Sequence, residues 1–484
     1  MSLPEFLSVQ PLSKPYNAVL YTHSSDPTVH NSERSRFEVA RSGILNPNGM
    51  LEFNYIPSAL GGAGRFCAFP PNIGAASCVS KVVLSTNSGR IILSNDFFPQ
   101  KQVVECGFRT AEYSRYVSRY LDMSNNCFDY TKPLEPAAAQ GKVRPGAVPL
   151  NADGTASLDG SSMNPPRILW MGGDRGRADP QQVRLSLTQL VPMLYSIQLP
   201  VNVCEQLYLD VYWNSENAEG DVVIVPQGST WQGAGTIQTP RLVTDHLVYL
   251  DPAVMEVIEK QQQSGKGLSF PYSDKYTQVV SQQNAVQPSG ANVTENYERN
   301  LSCAALKITD ISNIEGIGLG YDANELYGKY YSNGNQQRRL QLVLNSANWY
   351  PDNLATPQIN YERLNELYDH VPTLIPRAIY SNWGQQFGTL VGNGPAVPRA
   401  VEQTYMGKDI QNMAGQQNVM AVSLKDATGR YYQNGNNPVL AYMNKFADNV
   451  QGTWATDSLG YFFITYLREF AIMATGKIMV SEKA

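Results

Sequence analysis

Short runs of alternating apolar and polar residues recur along both halves of this 484-residue chain. The clearest runs in the first half are 37–39, 51–53, 79–84, 183–187 and 207–211, and those in the second half are 242–250, 301–308, 340–344 and 461–467. Alternation with a period of two residues is typical of β-strands that pack one face over a core. Two sets of such strands predict two β-sandwiches or jelly rolls in tandem.

The length of the chain and the irregular stretches between these runs predict several domains. A chain of 484 residues is too long for a single hydrophobic core. We therefore expect an all-β protein of two tandem eight-stranded antiparallel jelly rolls, with short helices and long loops. The expected units are an N-terminal arm at 1–33, a first jelly roll at 34–251 that contains a long loop at 131–180, a linker at 252–272, a second jelly roll at 273–476 and a C-terminal tail at 477–484.

Local signals predict a few turns and helices. The Asn-Ser-Gly sequence at 87–89 lies between two apolar runs and predicts a hairpin turn. The Asp-Pro pair at 251–252 favours the start of a helix that runs to Lys260, because the carboxylate caps the first turn and proline fits its first position. Apolar residues at helical spacing also predict helices around 108–121 and 361–368.

The composition and charge of the chain argue against a nucleic-acid-binding protein. Charged residues make up 16% of the chain, the net charge is −5, and the sequence pI is about 5.6. The first 41 residues contain four basic and four acidic side chains, so they do not form a basic arm. Binding that depends on phosphate neutralisation needs clustered lysine and arginine. We expect no direct binding of nucleic acid.

Cysteine and histidine spacing gives no support for a metal site. The six cysteines contain no Cys-x-x-Cys pair and the histidines are widely separated; they lie at 67, 78, 106, 127, 204 and 303, and at 23, 30, 246 and 370. Zinc sites usually combine closely spaced ligands. The N-terminus lacks the pattern of a signal peptide, so we expect reduced, buried cysteines in a protein that is not secreted by that route.

The apolar stretch at 459–480 resembles a membrane anchor in length but contains three charges. Arg468 and Glu469 lie near its centre and Lys477 lies near its end. Each such charge costs about 2.5–3.5 kcal/mol on insertion into a membrane. We therefore expect a soluble chain in which 461–467 is a strand that is apolar on both faces and is followed by a tight exit.

Three places in the chain resemble one viral protein family. Residues 37–45 followed by 50–55, residues 247–251 running on to 272–278, and residues 466–476 look like the opening, the crossover and the closing strand of the double jelly-roll major capsid proteins of eukaryotic DNA viruses. This lineage comprises polinton-like viruses, virophages and nucleocytoplasmic large DNA viruses. The chain departs from the large-virus members because Pro-Ala-Val-Met replaces their charged helix after Asp251, and because it lacks their closing Ser-Gly-Met-Gly-Gly run.

The resemblance implies a structural role without enzymatic activity. It implies a major capsid protein that forms homotrimeric, pseudohexameric capsomers, which tile the icosahedral shell of a virion assembled inside the host cell. The implied partners are the chain itself, neighbouring capsomers, penton and minor capsid proteins, and an internal membrane where the virus type has one. No catalytic, cofactor-binding or metal-binding residues are implied.

A carbohydrate-binding or carbohydrate-cleaving β-sandwich protein is the alternative interpretation. Glu205 and Asp210 are carboxylates on or near one predicted strand, and two converging carboxylates could cleave a glycoside. Tyrosine pairs at 330–331 and 431–432 could bind glycans, although aromatic residues are equally typical of subunit interfaces. The glycine-rich run at 172–176 is not followed by the lysine of a phosphate-binding loop. The oligomeric state distinguishes the two interpretations, because only the capsid protein requires a trimer.

Overall fold

The structure is a computed structural model that describes part of the chain. The described residues are 18–56, 59–62, 66–68, 74–106, 168–170, 181–195, 197–214, 222, 229–232, 235–265, 267–282, 298–303, 314–321, 331–332, 342–344, 347–348, 416–417, 419–423, 440–445 and 458–482. Within them the secondary structure is mostly antiparallel β-strand, with a few short helices. The predicted fold class is confirmed.

The first set of strands, β1 to β14, forms the unit that we call barrel 1. Their bounds are β1 Ala18–Ser25, β2 Val29–His30, β3 Arg34–Glu38, β4 Ile44–Leu45, β5 Met50–Ile56, β6 Ala59–Gly62, β7 Phe66–Ala68, β8 Val79–Thr86, β9 Ile91–Asp96, β10 Ile168–Trp170, β11 Gln181–Ser186, β12 Leu207–Trp213, β13 Ser229–Gln232 and β14 Thr236–Tyr249.

The second set, β15 to β25, forms barrel 2. Their bounds are β15 Leu268–Gln282, β16 Glu298–Cys303, β17 Ile314–Tyr321, β18 Tyr331–Ser332, β19 Leu342–Leu344, β20 Ala347–Asn348, β21 Gln416–Gln417, β22 Val419–Ser423, β23 Leu440–Lys445, β24 Ser458–Ile472 and β25 Ile478–Glu482. The helices are α1 Phe98–Cys106, α2 Leu187–Leu190 and α3 Pro252–Gln263, with 3-10 turns at Gly74–Cys78 and Pro192–Tyr195.

The two barrels repeat one strand order. The main sheets of barrel 1 run β1-β14-β5-β11 and β3-β12-β8-β9, with β2 and β4 added beside them. The main sheets of barrel 2 run β15-β24-β17-β22 and β16-β23-β19-β20, with β25 added beside β24. If the eight main strands of each barrel are counted along the chain, both barrels place them in the orders 1-8-3-6 and 2-7-4-5. This is a jelly-roll order, and it occurs twice.

The core of barrel 1 follows from the alternation in its strands. In β5 the side chains of Leu51, Phe53 and Tyr55 are buried, and the residues between them are partly exposed. Across the barrel, the Phe53 ring meets the ring of Trp213 in β12, with 5.1 Å between the centroids. Burial of a side chain of this size contributes about 1.5–3 kcal/mol. These inward-facing residues therefore hold the two sheets of barrel 1 together.

The long strand β24 is covered on both faces, as its sequence predicted. Residues 461–466 are all buried, and successive side chains of a strand point to opposite faces. One of the covering contacts comes from barrel 1, where the Phe97 ring lies 5.3 Å from the ring of Tyr461. The prediction of a strand in place of a membrane anchor is confirmed. Among the described residues, no helix has the length and apolar character needed to cross a membrane.

The hairpin and linker-helix predictions are confirmed, with a longer helix than expected. Strands β8 and β9 pair around the turn at 87–90. Helix α3 begins at Pro252, where the Asp251 carboxylate accepts a hydrogen bond from the Ala253 N–H at 2.9 Å, and it ends at Gln263. The helices predicted at 108–121 and 361–368 lie outside the described residues.

Several predicted boundaries are wrong. The expected arm at 1–33 contains β1 and β2, because pairing of β1 with β14 along its whole length, and of β2 with β3, makes these residues part of the first barrel. The run at 242–250, counted with the second half of the chain, belongs to barrel 1 as part of β14, in agreement with the predicted end of the first jelly roll at 251. Strand β15 starts inside the expected linker, and the expected tail forms β25 beside β24. In the expected loop at 131–180, the described part is strand β10.

Candidate functional site

The two ends of barrel 1 differ in the lengths of their connections. Because successive main strands run in opposite directions, their connections alternate between the two ends. The connections at 26–33, 57–78, 97–180 and 214–235 share one end, which therefore carries the longest connection of barrel 1, 97–180. The opposite end carries the tight β8–β9 turn at 87–90 and the connection at 187–206. We call this second end the short-loop end, and it is where barrel 1 meets the last hairpin of barrel 2.

Glu205 connects the two barrels at the short-loop end. One oxygen of its carboxylate accepts a hydrogen bond from the N–H of Ile478 at 2.9 Å, and the other accepts one from the N–H of Ser88 at 3.3 Å. Its own N–H donates to the carbonyl oxygen of Gly476 at 2.8 Å. A single residue thus contacts the β8–β9 turn of barrel 1 and the β24–β25 turn of barrel 2.

Arg90 and Gln262 complete this contact. The Arg90 guanidinium donates to the carbonyl oxygen of Ile478 at 2.8 Å. The side-chain amide of Gln262, in the linker helix α3, donates to the carbonyl oxygens of Val203 at 3.0 Å and Met473 at 2.9 Å. The linker is therefore fastened to both barrels at once. We define the joint as Ser88, Arg90, Glu205, Gln262 and the segment 473–478.

The electrostatics of the joint favour the ionised form of Glu205. Partial burial acts to raise the pKa of this carboxyl, but the hydrogen bonds from Ile478 and Ser88 and the positive charge of Arg90 outweigh it. The pKa of Glu205 is consequently below its usual value. Hydrogen bonds from N–H groups to a carboxylate are stronger than those between neutral groups. The joint therefore depends on a negative charge that it also stabilises.

A second contact between the barrels consists of buried charges. Asp274 in β15 accepts a hydrogen bond from the Arg468 guanidinium at 2.6 Å and one from the Tyr466 hydroxyl at 3.4 Å. Lys101 of helix α1, in barrel 1, is buried within the electrostatic influence of Asp274. Nearby, the Tyr272 hydroxyl donates to the carbonyl oxygen of Ile92 in barrel 1 at 2.9 Å. We call Lys101, Tyr272, Asp274, Tyr466 and Arg468 the buried cluster.

Burial shifts the pKa values of three members of this cluster. It lowers the pKa of Lys101 to about 8, although the Asp274 carboxylate acts in the opposite direction. It also raises the pKa of Asp274, which Arg468 opposes by hydrogen bonding and by its charge. The pKa of Tyr272 is raised for the same reason, so its hydroxyl stays protonated and available as a donor. The charged forms of Lys101 and Asp274 are thus each stabilised by an opposite charge on another member of the cluster.

Comparison with solved structures places this architecture among viral capsid proteins. The PBCV-1 protein VP54, whose crystal structure was fitted into a reconstruction of the virophage Sputnik, matches over 98% of this chain and 99% of its own, with a TM-score of 0.50 and 10% identity. The chain has the double jelly-roll fold of viral major capsid proteins. No protein-family model and no curated protein matches the sequence.

Two further structures with the double jelly-roll fold also match. The Faustovirus major capsid protein covers 96% of this chain and 92% of its own, with a TM-score of 0.47 and 10% identity. The match to the mavirus major capsid protein covers 100% of this chain and 91% of the mavirus protein, with a TM-score of 0.44 and 9% identity.

The two carboxylates considered for glycoside cleavage have structural partners in the double jelly roll. Asp210 is buried in β12, and the Arg36 guanidinium donates to its two oxygens at 2.8 and 2.9 Å. Arg34 lies 3.8 Å from the same carboxylate. Glu205 is held in the joint. Because both carboxylates are already neutralised or hydrogen-bonded, they are poorly suited to a general acid and a nucleophile, which need to contact a substrate.

The remaining sequence candidates have no described site around them. The runs 172–176 and 431–432 lie outside the described residues, and for Tyr331 only the backbone is described, as part of β18. Within the described part of the chain, no group of three or more histidine, cysteine, aspartate or glutamate side chains could hold a metal ion.

The described thiols and histidines have structural surroundings. Cys78 and Cys204 are free and buried, as predicted, and burial raises the pKa of both thiols, that of Cys204 to about 12. His246 packs edge to face against His23, with 4.8 Å between ring centroids, and burial lowers its pKa to about 4. This ring contact joins β1 to β14.

Little in the sequence indicates the joint. Glu205 reads as a carboxylate near a strand, but its partners are backbone N–H groups, which every residue except proline carries. Arg90 and Gln262 have no distinguishing pattern around them. The one signal is Gly476, at the end of the predicted closing strand, which adopts a φ of +78° in the β24–β25 turn.

Proposed function

We propose that this chain is the major structural subunit of an icosahedral virus shell. Three copies would form a pseudohexameric capsomer, and many capsomers would tile the shell. The observation that carries the proposal is the repeated strand order of two jelly rolls within one chain. The fold shared with VP54 over nearly the whole length of both chains supports it.

The repeated order supports a trimer through symmetry. Three copies of a two-barrel chain around a threefold axis present six similar barrels, which gives a tile of nearly hexagonal outline. Such a tile requires the two barrels of a chain to keep a constant relation. The joint and the buried cluster supply two fixed points of contact between them. A carbohydrate-active protein has no comparable need for a rigid pair of barrels.

The two ends of the barrels suggest how the tile would be oriented. The long connections at one end are the candidates for outward towers or for interlocking with neighbouring copies. They include 131–180 of barrel 1 and, from the expected loop region 384–454 of barrel 2, the part that precedes β21, because β21, β22 and β23 lie within that region. The short-loop end would then face inwards, together with residues 1–17. There it would meet penton proteins, minor capsid proteins or an internal membrane where one is present. We propose that the chain has no catalytic activity and, because its net charge is −5, that it does not bind the genome directly.

Oligomeric state is the measurement that tests this proposal. Size-exclusion chromatography with light scattering should show a stable trimer at micromolar concentration in near-neutral buffer. Negative-stain electron microscopy of concentrated material should show hexagonal arrays or closed icosahedral particles. A protein that remains monomeric under these conditions, and that forms no arrays, would contradict the capsid proposal and favour the carbohydrate-binding alternative.

A further inference from the structure

The β24–β25 turn of barrel 2 is held from several directions by groups outside its own barrel. The carbonyl oxygens of Met473, Gly476 and Ile478 accept hydrogen bonds from barrel 1 or the linker helix. The N–H of Ile478 also donates one to barrel 1. We infer that this turn is a clasp that fixes the tilt between the two barrels, and that Glu205 is the residue that closes it. The use of a fixed tilt in a tile rests on the proposed function, whereas the clasp itself does not.

Two points of contact are needed to fix a tilt, and the structure provides two. The buried cluster joins the middle of β15 and β24 to helix α1, which sets how closely the barrels approach. Rotation about that point is opposed most effectively by a contact some distance away, and the joint is such a contact. The joint lies beyond the end of β24, at the short-loop end. Opening of the joint would therefore release the tilt and leave the barrels in contact.

The close approach of the turn to barrel 1 depends on its glycine. A Cβ atom at Gly476 would lie 3.2 Å from the carbonyl oxygen of Val203, and its φ of +78° is a conformation that other residues rarely adopt. Glycine thus lets the backbone of the turn come within hydrogen-bonding distance of Glu205. Strand β25 then continues beside β24, so the turn is anchored to barrel 2 on both sides.

Glu205 closes the clasp because a carboxylate is purely an acceptor. Each of its oxygens meets an N–H group, one from the β8–β9 turn of barrel 1 and one from Ile478 of barrel 2. The charged group that acts on it is Arg90, at the start of β9. Protonation would place an O–H donor against one of these N–H groups, so the clasp should weaken in acid. A glutamine at 205 would present an NH₂ group there and imitate the protonated state.

The sign of the pH dependence follows from the lowered pKa of Glu205. A carboxyl whose pKa is lower in the closed state than in the open state stabilises the closed state above the open-state pKa. That stabilisation is lost as the pH falls through the closed-state pKa. The clasp should therefore be closed at neutral pH and should open in acid below the usual pKa of a glutamate.

Hydrogen–deuterium exchange of the full chain tests the clasp. In the Glu205→Gln variant at pH 7, at least one of the amides of Ile478 and Ser88 should exchange about tenfold faster than in the wild type, because the NH₂ group of glutamine cannot accept the hydrogen bond that one carboxylate oxygen accepts. The matched control is Glu52→Gln, which removes a carboxylate that pairs with Arg184 at 2.8 Å within barrel 1. Unchanged exchange at both amides in Glu205→Gln, or the same acceleration in Glu52→Gln, would overturn the inference.

A second variant keeps the test decisive if Glu205→Gln does not fold. Glu205→Asp keeps the charge but is one methylene shorter, so it cannot reach both N–H groups, and it should also accelerate exchange at one of them by about tenfold. Light scattering of the same samples separates the two ideas. A wild type that is monomeric while Glu205→Gln shows faster exchange would refute the capsid proposal and support the clasp. A trimer with unchanged exchange would do the reverse.

Discussion

The two contacts between the barrels are built in different ways. The joint is a set of hydrogen bonds from side chains to backbone groups, at an end of the molecule where Glu205 is only partly buried. The buried cluster places Asp274 and Lys101 almost out of contact with water, with 6% and 3% of their surfaces exposed. Removing a partner should therefore have very different costs in the two places. The joint determines the tilt between the barrels, whereas loss of a partner in the cluster should reduce the free energy of unfolding by more.

The physical reason for this difference is desolvation. A charge that loses its partner inside a protein remains without water, whereas one near the surface can be rehydrated. Replacement of a whole buried ion pair by apolar residues is often neutral, so the cluster need not add net stability. Its members are costly only when they are separated. The following variants test this contrast, beginning with the one for which we expect the largest effect.

Loss of Arg468 should be the most damaging single change in either contact. Arg468→Ala leaves Asp274 buried without its ion-pair partner, and such changes cost about 3–5 kcal/mol. We expect the free energy of unfolding, measured by urea titration with tryptophan fluorescence, to fall by about this amount. Arg90→Ala, in the joint, removes one hydrogen bond to a carbonyl and should cost about 1–2 kcal/mol.

A double variant in a Lys101→Met background provides the control for Arg468→Ala. There, Asp274→Asn combined with Arg468→Met removes the remaining charges of the cluster and keeps similar volumes, so it should recover most of the lost stability. Recovery would show that the cost of Arg468→Ala comes from the unpaired carboxylate. If Arg468→Ala changes the free energy of unfolding by less than about 1 kcal/mol, the cluster is no more costly to disrupt than a surface ion pair.

Lys101 should make the stability of the protein depend on pH in an alkaline window. Its pKa is about 8 in the folded chain, compared with 10.5 for an unperturbed lysine. The unfolded state therefore binds more protons between pH 8 and 10.5, and the wild type gains stability as the pH rises through that window. Lys101→Met lacks this dependence. It should be more stable than the wild type at pH 7 by up to about 3 kcal/mol, and its advantage should shrink towards pH 10.5.

Lys260→Met is the matched control for this titration. Lys260 is an exposed lysine of α3 that pairs with Glu256 at 3.1 Å. Exposed ion pairs contribute about 0–1 kcal/mol, so the variant should differ little from the wild type at pH 7 or pH 10. If the difference in stability between Lys101→Met and the wild type does not change with pH, burial does not lower the pKa of Lys101.

Alternation and helix-start chemistry explain which parts of the fold were predictable. The runs at 51–53, 207–211 and 461–467 are strands because one or both faces are buried, and that requirement is written in their side chains. The helix after Asp251 was predictable for a different reason, because its cap and its proline are signals in the local sequence. The strand β1 was missed because residues 18–25 are mostly exposed or partly exposed and carry little alternation. Its position comes from pairing with β14, more than 200 residues away.

The contacts between the barrels were beyond sequence-based prediction. Glu205 is joined to Ile478 across 273 residues, and the bond uses a backbone N–H that has no sequence signature. Lys101 looks like an ordinary surface lysine of a short helix until barrel 2 covers it. Asp274 and Arg468 are opposite charges on strands whose register the sequence leaves open. The family resemblance implied two barrels in a chain but gave no residue that joins them.

A pair of glycines beside the linker gives the most local test of the joint. Gly265 and Gly267 both have a positive φ, +82° and +66°. A Cβ atom at Gly265 would meet nothing within 4 Å, so Gly265→Ala should cost about 1 kcal/mol from backbone strain alone. At Gly267 it would overlap the carbonyl oxygen of Ile472, just before the clasp.

Gly267→Ala should therefore reduce the free energy of unfolding by more than Gly265→Ala does, and it should also weaken the clasp. We expect an additional loss of about 1–2 kcal/mol in the free energy of unfolding, because the backbone at the end of β24 must shift. The same shift should accelerate amide exchange at Ile478 and leave exchange within β8 unchanged. Equal costs for the two glycine variants would mean that the end of β24 can move freely, and the joint would then have too little rigidity to fix the tilt between the barrels.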